Sequence, residues 1–178
     1  TIERWFSTID DVKLDARVGG AVSFIDPVFG PVTGKVTALE TGRRIAFVPT
    51  MGYLHRGHVK LLEQGRTRGD VLVLSIFVNP TQFAPHEDFD VYPRDELGDA
   101  AKLEEVGTHL LFAPSCKEMY PEGDCTRVTV GGIGNILEGE FRPGFFNGVA
   151  TVVTKLLLQA LPDVAVFGEK DYQQLQVV

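Results

Sequence analysis

Short apolar runs alternate with segments of helical period after Gly42, and this alternation is the strongest constraint on how the chain can fold. Near-continuous apolar runs of this length are typical of strands that are covered on both faces of a parallel sheet. The predicted strands are Ile45–Val48, Val71–Val78, His109–Ala113 and Val164–Phe167, and the predicted helices between them are His58–Arg66, Asp95–Val106 and Val149–Leu161. Elements in this order predict an α/β fold with an open, doubly wound parallel sheet. Ligands of such sheets bind beyond the carboxyl ends of the strands.

Residues 1–41 follow a different pattern, in which apolar and polar residues alternate as they do in half-buried strands. The alternating segments are Val12–Val18, Ala21–Ile25 and Val32–Leu39, with glycine- and proline-containing turn signals between them. This pattern predicts a small antiparallel β meander at the N-terminus. We therefore divide the chain into a strand-rich segment, residues 1–41, and an α/β domain, residues 42–178.

The composition excludes several classes of partner. The formal net charge of -7 argues against nucleic acid, because binding to a phosphate backbone needs a basic surface. No apolar run approaches the roughly 18 residues that span a bilayer, and the N-terminus lacks a signal-peptide pattern, so we expect a cytoplasmic protein without a membrane partner. Cys116 and Cys125 are expected to be unpaired thiols, and no cysteine or histidine spacing predicts a metal site.

The segment Val48–His58 is the clearest candidate for a functional site. It leads from a predicted strand through a loop to His55-Arg56-Gly57-His58, which opens a predicted helix. Gly57 allows close approach of a ligand to the backbone, and the helix N-terminus offers free N–H groups and the positive end of its dipole. Two imidazoles at this turn can donate hydrogen bonds to phosphate oxygens. The alternative is a pair of surface or metal-binding histidines, for which no third ligand is evident nearby.

Further segments share an order and spacing with one known family. These segments are Val48–His58, Ser75–Phe83, Tyr92–Arg94, Met119–Pro121, Leu137–Gly139, Arg142–Gly144 and Phe167–Leu175. In them the chain resembles the pantothenate synthetase family. The resemblance implies a Rossmann-like fold of the HxGH nucleotidyltransferase superfamily. It also implies an enzyme, a pantoate–β-alanine ligase, that uses ATP and Mg²⁺ to adenylate pantoate and condenses the product with β-alanine. Homodimer formation is a further expectation from the family.

The same resemblance implies roles for individual residues. His58, His55 and Lys170 match catalytic positions. The implied ATP-binding residues are Pro49, Thr50, Met51, Gly52, His55, Gly57, His58, Gly168, Glu169, Lys170 and Asp171. The implied residues for pantoate and β-alanine are Gln82, Gln174, Asn79 and Met51. Amide side chains suit that second task, because they orient hydroxyl and carboxylate groups without adding charge.

Two departures from the family pattern leave alternatives open. The family continues past Gln174 with a second signature loop and a C-terminal lid domain, so the chain by itself is expected to have little ligase activity. Residues 1–41 resemble strands of the START-like superfamily that includes Hsp90-activator homologues, which predicts a natural or engineered chimera. The alternative functions are therefore a non-catalytic scaffold chain and another nucleotidylyltransferase with the HxGH motif.

Overall fold

The computed structural model describes residues 13–14, 21–26, 30–35, 43–84, 87 and 89–178. The chain divides into two units, Thr1–Arg43 and Arg44–Val178, and each is described by itself.

The first unit contains an antiparallel sheet. Its strands are β1 Lys13–Leu14, β2 Ala21–Asp26 and β3 Gly30–Lys35, in the order β1-β2-β3. Strands β2 and β3 pair along their whole length, with Phe24 opposite Val32. The predicted antiparallel arrangement is confirmed, while the remaining parts of the predicted strands, residue 12 and residues 15–18 and 36–39, lie outside the described residues.

The second unit is built from parallel strands and connecting helices. Its strands are β4 Ile45–Thr50, β5 Val71–Ile76, β6 Leu110–Phe112 and β7 Val164–Ala165. Its helices are α1 Arg56–Arg66, α2 Glu96–Val106, α3 Cys116–Met119, α4 Glu138–Phe141, α5 Phe145–Ala160 and α6 Tyr172–Val177. The sheet has the order β6-β5-β4-β7, and all neighbouring pairs are parallel. The predicted α/β fold with a parallel sheet is confirmed.

The strand order indicates where a ligand site is expected, at the carboxyl ends of the strands. Along the sequence, β5 lies beside β4 and β6 lies beside β5, whereas β7 lies on the other side of β4. The order of the strands therefore reverses between β4 and β7. In open α/β sheets the crevice outside the carboxyl ends of the strands at such a reversal binds ligands. The loops that follow β4 and β7 are accordingly the expected location of a site.

Two apolar clusters cover the two faces of the sheet. On β4, Phe47 belongs to a cluster with α5, whereas Ala46 and Val48 belong to a cluster that includes Leu62 of α1 and Leu103 of α2. Successive side chains of a strand point to opposite faces, so this one strand contributes to both clusters. Helices on both faces explain why the sequence of β4 is almost continuously apolar.

Several elements differ from the sequence-based prediction. Strands β5 and β7 end at Ile76 and Ala165, each two residues earlier than predicted. Strand β6, predicted as a buried strand over His109–Ala113, is instead an edge strand whose Leu110 and Leu111 are 45% and 41% exposed. Helix α5 begins at Phe145, earlier than predicted, and its N-cap Gly144 has a left-handed φ of 86°. Helix α1 begins at Arg56, since His55 serves as its N-cap.

Candidate functional site

The loop after β4 has an unusual backbone. Gly52 and Tyr53 have φ angles of +82° and +51°, in the region that side chains other than glycine rarely adopt. The Thr50 hydroxyl donates to the Ser75 carbonyl oxygen at 2.8 Å and accepts from the Gly52 N–H at 3.2 Å. This turn directs the chain from the carboxyl end of β4 into the N-terminus of α1.

A buried carboxylate from α2 holds the same loop. Asp99 is 2% exposed, and its two oxygens accept from the Tyr53 N–H at 2.8 Å and from the Leu54 N–H at 2.6 Å. The motifs of the sequence do not include this residue. A signal is nevertheless present, because Asp99 lies four residues before the buried Leu103 and so falls on the core-facing side of a predicted helix.

The two histidines of the motif cap α1 through their ring nitrogens. Nδ1 of His55 accepts from the Gly57 N–H at 3.0 Å, and Nδ1 of His58 accepts from the His55 N–H at 3.3 Å. A backbone N–H can only donate, so each neutral ring carries its proton at Nε2. The rings stack with centroids 4.1 Å apart. Both Nε2–H groups therefore remain as donors at the positive end of α1.

Electrostatics keep His58 neutral near neutral pH. Desolvation lowers its pKa below the usual 6.5, the neighbouring His55 lowers it further, and Asp99 and Asp171 act in the opposite direction. The Asp171 and Lys170 charges act on His58 because the loop after β7 lies close to the start of α1. The structure therefore brings the motifs after β4 and after β7 together.

A cleft of about 560 Å³ opens between these two loops. Five residues predicted to bind ligands lie in its wall, namely Met51, Gln82, Lys170, Asp171 and Gln174. Residues that complete the wall include Phe83, Tyr92, Glu138, Arg142, Phe145 and Gln173. The wall combines aromatic side chains with amides and charged groups, which suits a small polar ligand.

Asn79 is buried behind the cleft and fixes the orientation of Gln82. Its Nδ2 donates to Oε1 of Gln82 at 2.9 Å and to the Gly148 carbonyl oxygen at 3.2 Å. Its Oδ1 accepts from the Tyr120 hydroxyl at 2.7 Å and from the Thr81 hydroxyl at 2.9 Å. Because Oε1 of Gln82 is occupied, its Nε2–H₂ group is the donor left for a ligand in the cleft. Asn79 itself is 1% exposed and is not part of the cleft wall.

Arg142 links its own segment, which follows α4, to the segment that contains Gln82 and Glu87. Its guanidinium donates to both carboxylate oxygens of Glu87, at 2.7 and 2.8 Å, and to the Gln82 carbonyl oxygen at 3.0 Å. It also lies over the Phe145 ring, 4.0 Å from the centroid. The hydrogen bonds to Glu87 raise the pKa of Arg142 above its ordinary value. A bidentate pair of this kind holds geometry as well as charge.

The loop after β7 presents an exposed cation, and the helix α6 that follows it presents a fixed amide. Lys170 has a side chain that is 89% exposed, with Nζ 3.3 Å from a carboxylate oxygen of Asp171. Gln173, which is not among the predicted site residues, donates to the carbonyl oxygens of Ile133 and Ile136 at 2.8 and 2.7 Å. Its Oε1 accepts from the Glu138 N–H at 3.1 Å. Gln173 therefore fixes the rim of the cleft and leaves the neighbouring Gln174 in the wall.

The other predicted site residues surround the cleft without lining it. Pro49 and Thr50 end β4, and Gly52 lies in the turn that follows. His55, Gly57 and His58 form the start of α1, while Gly168 and Glu169 lie between β7 and α6. The predicted ATP-binding residues thus occupy the loops after β4 and β7, beside the cleft that Gln82 and Gln174 enter.

Metal ligands and membrane-spanning helices are both absent from the described part of the chain. Within those ranges, no group of three or more His, Cys, Asp or Glu side chains is arranged to hold a metal ion. No described helix is both long enough and apolar enough to cross a bilayer. Cys116 and Cys125 are exposed free thiols, as predicted.

Comparison with known proteins gives a consistent result. A sequence profile of the family described as pantoate-beta-alanine ligase matches residues 32–178. A pantothenate synthetase from Paramagnetospirillum magneticum is 61% identical over 139 residues, which cover 78% of this chain and 49% of that protein. The chain thus spans about half the length of the curated relatives it matches.

Solved structures are similar over the same region. The crystal structure of pantothenate synthetase from Thermus thermophilus has a TM-score of 0.75 and 57% identity, covering 76% of this chain and 49% of that one. Pantoate-beta-alanine ligase from Francisella tularensis, complexed with beta-gamma ATP and beta-alanine, has a TM-score of 0.75 and 45% identity, covering 79% and 54%. The fold is therefore the Rossmann-like fold of these enzymes.

Proposed function

The chain belongs to the pantoate–β-alanine ligase family, and on this premise we propose that its second unit binds ATP and pantoate for the synthesis of pantothenate. The observation that carries the proposal is the cleft at the reversal of strand order. Its wall contains Gln82 and Gln174, and the proposed phosphate-binding loops after β4 and β7 lie beside it. The Francisella relative, which is complexed with beta-gamma ATP and beta-alanine, supports the choice of ligands.

ATP is proposed to lie across the loops after β4 and β7. The Nε2–H groups of His55 and His58 donate to its phosphate oxygens, and Gly57 allows the phosphates to approach the backbone. Lys170 supplies a mobile cation, since its long side chain is exposed and its contact with Asp171 is an exposed pair of little strength. The remaining residues proposed to contact ATP, through their backbone or on the side of the ribose, are Pro49, Thr50, Met51, Gly52, Gly168, Glu169 and Asp171.

Pantoate is proposed to occupy the cleft between Gln82 and Gln174. The Nε2–H₂ group of Gln82 faces acceptors because Asn79 occupies its oxygen. A carboxylate or hydroxyl oxygen accepts from such a group without a fixed cation, so the acid keeps its nucleophilicity. The aromatic rings of Phe83 and Tyr92 supply apolar contact for a branched carbon skeleton. β-Alanine is proposed to enter the same cleft beside Gln82 once the adenylate has formed.

The proposed reaction has two steps. A pantoate carboxylate oxygen attacks the α-phosphorus of ATP, the bond to the bridging oxygen breaks, and pyrophosphate leaves. The amine of β-alanine then attacks the acyl carbon, the C–O bond to AMP breaks, and the nitrogen loses a proton. Hydrogen bonds from His55, His58 and Lys170 stabilise the negative charge that builds on the leaving pyrophosphate, so catalysis is positioning and charge stabilisation.

Mg²⁺ is proposed to arrive as part of the MgATP substrate. The described residues contain no ready-made cluster of metal-binding side chains. Mg²⁺ commonly keeps several waters and binds through substrate phosphates and one or two carboxylates. The ion would therefore be held mainly by the phosphates, where it neutralises part of their charge.

Homodimer formation and a cytoplasmic location also remain proposals. The exposed leucines of the edge strand β6 form a surface that a second copy could cover. Light scattering at several protein concentrations tests the dimer directly. A monomer at all concentrations would contradict it.

Titration of the chain with MgATP and with pantoate separates the proposed function from its alternatives. Saturable binding of both ligands supports the ligase site. Binding of ATP without pantoate would support another nucleotidylyltransferase, and binding of neither would support a scaffold. A pantothenate assay with β-alanine then tests whether the chain turns over, including the expectation of low activity.

A further inference from the structure

We propose that Asp99 is a positioning residue for the phosphate site formed by His55 and His58, acting through the backbone of the loop that precedes them. The expected effect on MgATP binding rests on the proposed function, whereas the contacts between Asp99 and the loop do not depend on it. Asp99 lies on α2, outside the motifs that resemble the family's ligand-binding segments, and it takes no direct part in the proposed reaction.

The first support is the set of contacts that the carboxylate makes. Its two oxygens accept separately from the N–H groups of Tyr53 and Leu54, at 2.8 and 2.6 Å. The group is 2% exposed, and Nζ of the partly exposed Lys102 lies 3.8 Å from one of its oxygens. A buried carboxylate needs such partners, because an unpaired buried charge is strongly unfavourable. The two loop N–H groups therefore supply a partner for each oxygen of this buried side chain.

The second support is the strained backbone of the loop. Tyr53 has a φ of +51° although it carries a large side chain, and that residue is 55% exposed. Few packing contacts therefore hold Tyr53 in this conformation. In this turn the successive N–H groups of Tyr53 and Leu54 both donate to the Asp99 carboxylate, one to each oxygen, as backbone N–H groups do in anion-binding turns. Here the anion is the Asp99 carboxylate, which offsets the cost of the strained residue.

The third support is the position of the loop in the chain. Leu54 is followed directly by His55, whose ring caps α1 and whose N–H donates to His58. Leu54 is 4% exposed and packs in the cluster on the α1 and α2 face of the sheet. Releasing Tyr53 and Leu54 from Asp99 would allow the His55 backbone to shift. A shift of about 1 Å at a phosphate site is enough to reduce binding or rate severely.

The test compares Asp99→Asn with Asp95→Ala. Asn presents a donor where the carboxylate accepts, so one loop hydrogen bond is lost while size is kept. Asp95 caps the same helix through the Gly98 N–H at 3.0 Å rather than bonding the loop, so its replacement destabilises α2 without touching the clamp. Amide exchange of Tyr53 and Leu54, global stability and the Kd for MgATP are measured for both variants.

The proposal expects a specific pattern. In Asp99→Asn, exchange of the Tyr53 or Leu54 amide quickens by roughly tenfold to a hundredfold beyond the change in global stability. The Kd for MgATP rises by about tenfold or more, whereas Asp95→Ala leaves it within about twofold of wild type. Equal effects of the two variants after correction for stability would overturn the proposal, because Asp99 would then be merely structural.

Two further measurements keep the proposal testable if Asp99→Asn does not fold. In the wild-type chain, the Tyr53 amide should exchange far more slowly than its place in an exposed loop suggests, and fast exchange there overturns the clamp. In the double variant Tyr53→Gly/Asp99→Asn, glycine removes the backbone strain and should restore folding but not the protection of Leu54. If the wild-type chain shows slow exchange yet binds no MgATP, the proposed function fails while the clamp stands.

Discussion

The backbone N–H of His55 donates to Nδ1 of His58 at 3.3 Å, so the second imidazole of the motif both caps a helix and presents its Nε2–H outward. Protonation of Nδ1 would remove the acceptor that His55 uses. The tautomer required by the proposed phosphate binding is therefore the one that also stabilises the start of α1.

The first prediction concerns the pH dependence of this cap. Burial and the neighbouring His55 lower the pKa of His58 below 6.5, so the folded protein binds this proton less readily than the unfolded chain does. The stability contributed by neutral His58 is therefore complete above about pH 6.5 and is lost as the pH falls toward the lower folded-state pKa. NMR titration of the ring nitrogens and urea unfolding at several pH values check this. A folded-state pKa above 6.5 would contradict it.

The second prediction concerns Gly57. A Cβ atom at this position would lie 2.8 Å from Cε1 and 3.0 Å from Nδ1 of His55, closer than real contacts allow. Gly57→Ala should displace the His55 ring and raise the Kd for MgATP by about tenfold or more. The matched control is Gly131→Ala, where a Cβ meets nothing within 4 Å and φ is -88°, and where affinity should stay unchanged. Equal affinities for the two variants would show that the ring position is unimportant.

The third prediction concerns the orientation of Gln82. Asn79→Asp cannot donate to Gln82 Oε1 or to the Gly148 carbonyl oxygen, so it leaves buried acceptors unpaired. We expect a loss of roughly 2–4 kcal/mol in the free energy of unfolding and at least about a tenfold rise in the Kd for pantoate.

The control for this change removes a different bond of the same side chain. Tyr120→Phe deletes the hydroxyl that donates to Asn79 Oδ1 at 2.7 Å and should cost about 0.5–1.5 kcal/mol. Calorimetry should find pantoate affinity little changed in this variant. A larger loss of affinity in Tyr120→Phe than in Asn79→Asp would refute the account of Gln82.

The fourth prediction concerns the rim of the cleft. Arg142→Lys keeps the charge but loses the bidentate pair with Glu87 and the bond to the Gln82 carbonyl oxygen. We expect a cost of about 1–2 kcal/mol by chemical unfolding, together with weaker pantoate binding. The exposed Arg68→Lys, which loses bonds to Gln64, should cost less than about 0.5 kcal/mol. Equal costs would mean that the Glu87 pair does not hold the rim.

Much of the fold can be predicted because the periodicity of the sequence follows burial. Strand β4 reads as a continuous apolar run because helices cover both of its faces. The prediction for strand β6 is wrong about burial, since an apolar run does not distinguish a central strand from an edge whose Leu110 is 45% exposed. The start of α5 could not be predicted because Gly144 and Gly148 weaken the helical pattern of the sequence. Gly148 is nevertheless needed inside the helix, since Thr81 approaches its backbone closely.

The residues of the candidate site also differ in how far the sequence predicts them. The place of motif residues such as Gln82 and Lys170 in the cleft wall can be predicted because they lie in short segments near the ends of strands. The roles of Asp99 and Gln173 are harder to predict. Helical spacing places Asp99 on the core side of α2, but its contact with Tyr53, like that of Gln173 with Ile133, joins groups that are distant in sequence. Long-range side-chain to backbone bonds leave little trace in local patterns.

Calorimetric titration of pantoate into the chain saturated with MgATP tests the central claim most directly, with Gln82→Leu as the matched variant. Leucine keeps the approximate size of the side chain but removes the donor that Asn79 orients toward the cleft. The account predicts saturable pantoate binding by the wild-type chain and a Kd at least about tenfold higher in the variant, with MgATP affinity unchanged. Absence of pantoate binding to the wild-type chain, or equal affinity in the two proteins, would contradict it.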